Sequence, residues 1–470
     1  MSTLHQLGRF VRRLLPTGRV EEAVVTTAKL LVSPVVRQLP TVSAGKTDRE
    51  RLITALRATS PVILLHGRAG TGKTTLIHSL KEEGFRHVVV APTGIAALNA
   101  GGQTIHSFFS IPPQMVNLDD IKPRHRLGSI LRRIDIIVID EISMVRADLL
   151  DVIDKTLRVN LDPQMPFGGK KLLLVGDFLQ LPPVVEETDA SILLHRGYEF
   201  THAFGAKCLF TRQQVTLIEL STVYRQNDPE FLDLLHNVRS GQKLDDTVQR
   251  LNHRCHRQHR HSAKPVVLTA TLEAASSYNR RGLTALPGSP TRFLGTIENE
   301  FRITRDKLPA PEHLDLKKDA RILMVKNDPE HRWVNGSLGT VSRLSENALW
   351  VHIDGSSSEA EVHRATWESI EYQYDKMTQR VNPVVVGTYT QFPIVAAWAM
   401  TIHKAQGLTL DDIRIDLGRG AFSTGQTYVA LSRVRTLDGL SFARPLRISD
   451  VMADTKLVEG VRAIAEMGSA

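Results

Sequence analysis

Three short apolar runs stand out along the chain: PVILLH (61–66), RIDIIVIDE (133–141) and KLLLVGD (171–177). They are too short and too uniformly apolar for amphipathic helices, and they match strands buried on both faces of a parallel sheet. TTLIHSLKEE (74–83) and TYVALSRV (427–434) read as helices instead. From 321 to 355, β-branched runs alternate with turns such as Asn335-Gly336, the pattern of a small antiparallel barrel. At the start, Leu4, Leu7, Phe10, Val11, Leu14 and Leu15 recur at roughly helical spacing among four arginines and no acid. That segment reads either as an Arg-rich transit peptide or as a short amphipathic helix docking on a partner.

Candidate chemistry begins between the first strand and the helix after it. GRAGTGKTT, Gly67 to Thr75, matches G-x-x-x-x-G-K-[ST] at Gly67, Gly72, Lys73 and Thr74, with Gly70 inside the loop. Glycines let successive backbone N–H groups turn around phosphate oxygens, and the helix N-terminus adds its positive end. Lys73 is placed to reach the β- and γ-phosphates of ATP, Thr74 to coordinate Mg²⁺, and Thr75 to follow on the first turn. The second apolar strand ends in Asp140 and Glu141, suited to hold the metal through water and to activate the attacking water. Gln180 lies just past the third strand, where an amide can sense a γ-phosphate. Arg225 and Arg433, distant in sequence, are candidates for charge stabilisation across a cleft. Each alone reads more readily as a surface arginine on a helix, and only the ensemble of motifs overturns that.

Together GRAGTGKTT, APTGIAALNAGGQTIHSFF (91–109), DEISM (140–144), GDFLQLPPV (176–184), VYRQNDPEF (223–231), MTIHKAQGLTLD (400–411) and GQTYVALSRVR (425–435) closely resemble the PIF and RecD/Dda helicases. The resemblance runs in order from about 46 to 445. It implies an α/β fold of two RecA-like P-loop NTPase domains, with a small SH3-like β-barrel insertion in the second. It also implies an ATP- and Mg²⁺-dependent motor moving 5′ to 3′ on single-stranded DNA and unwinding tailed or forked duplex, in replication, repair or recombination. Lys73, Glu141, Gln180, Arg225 and Arg433 match the family's catalytic positions. Pro92, Thr93 and Gly94, then Thr104, His106, Ser107 and Phe108, then Thr401, His403, Lys404 and Gln406 match its DNA-contacting segments. Phe108 and Phe109 are candidates to stack on a base, with Phe109 as readily assigned to the core.

The remaining features adjust this picture. Across 470 residues the net charge is +9, which favours a polyanionic partner. Cys208 and Cys255 alone make no disulfide framework, and no run of 18 apolar residues suggests a membrane span. The domain reading is an extension over 1–45, a first RecA-like domain over 46–220 with a small wedge at about 109–131, a second over 221–450 interrupted at about 320–392, and a tail over 451–470. HRCHRQHRH (253–261) holds metal-ligand types, but its arginines favour a solvated basic helix end, and no metal beyond Mg²⁺ is expected. Relatives carry an adenine-reading glutamine before the glycine loop. Residues 46–60 contain none, which leaves base selectivity open, with Arg49 a possible substitute. A monomer is expected, placed in the cytoplasm or nucleoid of a bacterium, or in the organelles or nucleus of a eukaryote. The alternatives are a translocase that strips proteins with little unwinding, an RNA-directed motor, or an ATP-gated clamp.

Overall fold

The apolar runs assemble into one six-stranded parallel sheet. The computed structural model describes residues 47–461 apart from 69, 211–214, 221, 223, 224, 227, 256–264, 376 and 379. The N-terminal extension, residues 256–261 of the His/Cys cluster and the tail beyond 461 lie outside the described residues. The strands are β1 (Val62–Gly67), β2 (His87–Ala91), β3 (Gln103–Thr104), β4 (Ile136–Ile139), β5 (Lys171–Gly176) and β6 (Val215–Leu220). Their order across the sheet is β3-β2-β4-β5-β1-β6. Burial on both faces follows from strict alternation. Val62 and Leu64 of β1, with Leu172 and Leu174 of β5, join the core on one face. Ile63, Leu65, Leu173 and Val175 join the core on the other. The central strands β4, β5 and β1 therefore all deliver their following residues to the same carboxyl edge, where open α/β sheets bind ligands.

Helix α1 (Asp48–Arg57) starts at a capping box in which Thr47 and Glu50 satisfy each other's backbone N–H groups. Arg49, the candidate substitute for the missing glutamine, pairs with Glu82 and Glu83 at 2.9 and 3.0 Å. Helix α2 (Lys73–Ser79) ends earlier than its sequence pattern suggests. Turns take over between Leu80 and Gly84, whose φ is +75°.

The second RecA-like sheet is smaller and also parallel. It consists of β7 (Val266–Thr269), β18 (Ala399–Thr401), β19 (Ile413–Asp416) and β20 (Leu440–Phe442), in the order β18-β7-β19-β20. Between β7 and β18 the chain leaves this sheet. It forms β8 (Thr291–Leu294), β9 (Thr296–Asn299) and β10 (His313–Leu316), which precede the stretch expected from sequence. Then β11 (Arg321–Met324), β12 (Leu338–Leu344), β13 (Leu349–Ile353), β14 (Glu359–Val362) and β17 (Ile394–Ala396) make a five-stranded antiparallel sheet over Ile322, Trp333, Val351 and Phe392.

Residues 365–391, which the sequence reading includes in the insertion at about 320–392, do not join that sheet. They form a long hairpin, β15 (Ala365–Asp375) and β16 (Arg380–Gln391), which pairs with β9. The reason lies in Tyr372, which is buried in the core of the first domain. Its backbone N–H donates to Gln103 at 3.2 Å, and its hydroxyl accepts from the N–H of Val89 at 3.2 Å. The tail region behaves similarly. Leu457 and Val458 are buried in the first domain's core, so residues 455–461 strap the second domain to the first. Among the described residues no helix is long and apolar enough to cross a membrane.

Candidate active site between the two RecA-like domains

The glycine loop shapes one wall of the cleft. Gly70 and Gly72 have φ of +79° and +81°, a region that a side chain disfavours. A Cβ on Gly70 would also lie 2.5 Å from Cβ of Arg225, so the second domain's arginine sits directly on the loop. Lys73 folds over the loop, donating to the carbonyls of Gly67 at 2.7 Å and Arg68 at 3.0 Å. Burial lowers its pKa, opposed by Asp177, Glu141 and Asp140. Thr74 and Thr75, on the first turn of α2, are exposed and open to a nucleotide.

The acid pair follows β4. Burial, then the adjacent Glu141, pushes the Asp140 carboxyl up to about 7. Glu141 has φ 51° and ψ 47°, a left-handed conformation that costs a non-glycine residue energy and clusters at functional sites. Gln180 is buried behind them. Gln406 was matched to a DNA-contacting segment, yet its side chain faces this cleft. Its Nε2 donates to Glu141 at 3.0 Å and to Gln180 at 3.2 Å.

The opposite wall is cationic. Arg225 donates to the carbonyls of Ser432 at 3.1 Å and Gly407 at 3.4 Å. Arg433, at the end of helix α3 (Gln426–Leu431), is almost wholly buried. Among the described residues its hydrogen bonds go to uncharged oxygens: the carbonyl of Val429, the Ser432 hydroxyl, and the carbonyls of Ala405 and Leu408. Burial, followed by the neighbouring Arg225, lowers its pKa to about 9. An almost wholly buried guanidinium beside a half-buried one, neither bonded to a carboxylate among the described residues, suits a polyphosphate as countercharge.

Behind the cleft lies a charged network that the sequence reading missed. Arg239, on helix 229–240 of the second domain, donates to both oxygens of Asp177 at 2.8 and 3.2 Å and to His66 at 2.8 Å. Burial alone would raise Asp177, but Arg239 and its neighbours hold it at about 2. Burial lowers His66 to about 3, so it is neutral and accepts from Arg239 through Nε2. The available signal was an acid just past a strand that is apolar after Lys171.

The three candidate DNA-contact segments share a local device. Thr93, Thr104 and Thr401 each accept from a backbone N–H, of Ala96, Ser107 and Lys404, all at 3.2 Å. Each hydroxyl proton stays available to donate to a phosphate. Pro92 and His106 are half-buried, and burial, then Arg146, lowers the pKa of His106. His403 is half-buried and Lys404 exposed. Phe108 corrects the stacking expectation. It is 6% exposed and meets Phe109 and Tyr372 edge-on, at centroid distances of 4.9 and 5.9 Å. Both phenylalanines lie on the helical turn Ile105–Phe109, which points them inward beneath the hairpin. Arg302 donates to Ser107 at 3.1 Å, and Ile303 packs against Gly94, so residues 302 and 303 cover part of this face.

Comparison with known proteins places the arrangement. The PIF1-like helicase family matches over residues 49–249. ATP-dependent DNA helicase Pif1 of Bdellovibrio bacteriovorus is 31% identical over 80% of this chain and 83% of its own length. The chain belongs to the PIF1-like helicase family. Human ATP-dependent DNA helicase PIF1 is 34% identical over 87% of this chain, which spans 62% of the human protein's length. The crystal structure of Bacteroides sp Pif1 in complex with ADP-AlF4 superposes with a TM-score of 0.82 at 31% identity, covering 90% of this chain and 98% of that one. The Bacteroides Pif1 structure bound to ssDNA, at 32% identity, covers 92% and 99% with a TM-score of 0.64. The chain's arrangement is thus nearer to that of the Bacteroides ADP-AlF4 complex than to that of the Bacteroides ssDNA complex.

Proposed function

We propose that this PIF1-like chain is an ATP-dependent DNA helicase that moves 5′ to 3′ along single-stranded DNA, acts as a monomer and opens tailed or forked duplex. The observation that carries the ATPase part is the convergence of Lys73, Asp140, Glu141 and Gln180 with Arg225 and Arg433 of the other domain in one cleft. Polarity and the DNA substrate rest on family membership. The threonine-capped segments are suited to phosphate contacts made and broken at each step.

Thr74 and the Asp140 carboxylate form an all-oxygen donor set that fits Mg²⁺, which would neutralise charge on the β- and γ-phosphates. Lys73 and the loop N–H groups bind the phosphates. Glu141 takes a proton from water as its oxygen bonds to the γ-phosphorus. The bond from that phosphorus to the bridging oxygen breaks, and ADP leaves with the electron pair. Arg225 and Arg433 stabilise the transferred charge from the second domain, so hydrolysis requires a shut cleft. Release of phosphate lets the domains part, and alternating grip moves the strand.

The test is strand separation on duplexes with a 5′ or a 3′ single-stranded tail, with ATP and Mg²⁺ and Lys73→Ala as control. Opening of the 5′-tailed duplex alone, lost in the control, is the expected result. DNA-stimulated hydrolysis without opening of either duplex would replace helicase by translocase.

A further inference from the structure

The side chain that joins the two halves of the cleft is Gln406. Its partners fix its orientation: the Glu141 carboxylate is an acceptor, so the amide nitrogen must face it. That leaves Gln406 Oε1 buried, with no hydrogen-bond partner among the described residues. A buried acceptor without a donor is unfavourable and rare. Here it borders the two side chains that would hold the attacking water, and a water O–H is the donor it lacks.

The backbone around Gln406 extends the connection. Residues 401–408 form one tight turn, in which Ala405 N–H donates to the Thr401 carbonyl at 3.0 Å and Gln406 N–H to His403 at 3.2 Å. Thr401, His403 and Lys404 are the DNA-contact candidates of this segment. From the same turn, the carbonyls of Ala405 and Leu408 accept from Arg433, and that of Gly407 accepts from Arg225. One short segment therefore carries a grip on DNA, a bond to the water-activating pair and the seats of both arginines.

We infer that Gln406 is a positioning residue for hydrolysis, holding Glu141 and Gln180 about the attacking water and tying that geometry to the DNA-gripping turn. This rests on the ATPase reading above. It acts through Glu141 and Gln180, and a displacement of the turn on DNA binding reaches the water through its amide.

The test compares wild type with Gln406→Leu, which keeps the volume without hydrogen bonds, and Gln406→Glu, which keeps an acceptor but sets a like charge against Glu141. Steady-state ATP hydrolysis is measured with saturating oligothymidylate, together with KM for ATP, oligonucleotide affinity and the melting temperature. Gln406→Leu is expected to lower kcat tenfold or more, with KM and oligonucleotide affinity within twofold of wild type and melting unchanged. Gln406→Glu is expected to be lower still. A kcat within twofold of wild type in Gln406→Leu would overturn the inference. So would a joint loss of kcat, affinity and melting temperature, which marks a merely structural side chain. A wild type that does not hydrolyse ATP would overturn the ATPase reading itself, and this inference with it.

Discussion

Arg239 of the second RecA-like domain grips Asp177 of the first through both carboxylate oxygens, at 2.8 and 3.2 Å, with both side chains buried. Asp177 follows β5 three residues before Gln180, and Arg239 also bonds His66, the residue before Gly67. The pair therefore fixes the second domain to the strand ends that carry the catalytic loop and the γ-phosphate sensor. Removing one partner strands the other charge in the interior. Arg239→Ala is expected to cost roughly 3–5 kcal/mol. Asp177→Leu with Arg239→Met should recover part of that loss, because no charge is left unpaired. Urea denaturation of the single and double variants measures both. Asp177 holds its low pKa only when folded, so its contribution is present above about pH 4 and disappears as pH falls through about 2.

Asp140 titrates in the opposite sense. Its carboxyl sits at about 7 in the folded protein, well above the unfolded value near 4. Its stability contribution is thus complete below about pH 4 and lost as pH rises through 7. A metal-binding role requires the ionised form, so Mg·ATP binding should release a proton: about half a proton at pH 7, and less at pH 8. Affinity should fall by roughly tenfold from pH 7.5 to 6. Calorimetric titrations in buffers of different ionisation heat give the proton count. Asp140→Asn should abolish it. A proton count of zero at pH 7 would remove Asp140 as the metal ligand.

Glu141 combines chemistry with backbone strain. Glu141→Gln keeps the shape and removes the base, so kcat should fall by about 10²–10⁴ while ATP binding persists. The φ of 51° makes a separate claim. Glycine adopts that conformation freely and alanine does not, so Glu141→Gly should be more stable than Glu141→Ala by about 1 kcal/mol. Equal stability would mean that residue 141 relaxes out of the left-handed region. Thermal denaturation of the two variants, both lacking the carboxylate, separates strain from catalysis.

How much of this was legible in sequence depends on the range of the interaction. β1, β4 and β5 could be read because burial on both faces demands uninterrupted apolar runs, and the residues ending those runs must then lie on one edge. Lys73, Asp140, Glu141 and Gln180 inherit their positions from that rule. Arg225 and Arg433 required the family resemblance, since nothing local distinguishes a phosphate-facing arginine from a surface one. Gln406, Arg239 and Tyr372 were illegible in their roles because their partners lie 265, 62 and 269 residues away, at Glu141, Asp177 and Gln103. The hairpin was misassigned for a related reason. Its alternation is that of any half-buried strand, and only Tyr372's contacts reveal which domain it covers.

Those contacts make the hairpin part of the first domain's core. The Tyr372 ring packs edge-on to Phe108, its hydroxyl caps the N–H of Val89 on β2, and its own N–H is taken by Gln103. On either side, Glu371 pairs with Arg126 at 2.9 Å, and the guanidinium of Arg133 lies 3.4 Å from the Tyr374 ring centroid. Tyr372→Phe removes the hydroxyl alone and leaves the Val89 N–H unsatisfied, which should cost about 1–3 kcal/mol. Tyr372→Ala also opens a cavity over Phe108 and Phe109 and should cost about 3–5 kcal/mol. Hydrogen exchange locates the effect. The Val89 amide should lose protection in both variants, and those of Ile105–Phe109 mainly in Tyr372→Ala. Unchanged protection at Val89 in Tyr372→Phe would mean that the hydroxyl contributes nothing to β2 and that ring packing alone holds the hairpin down.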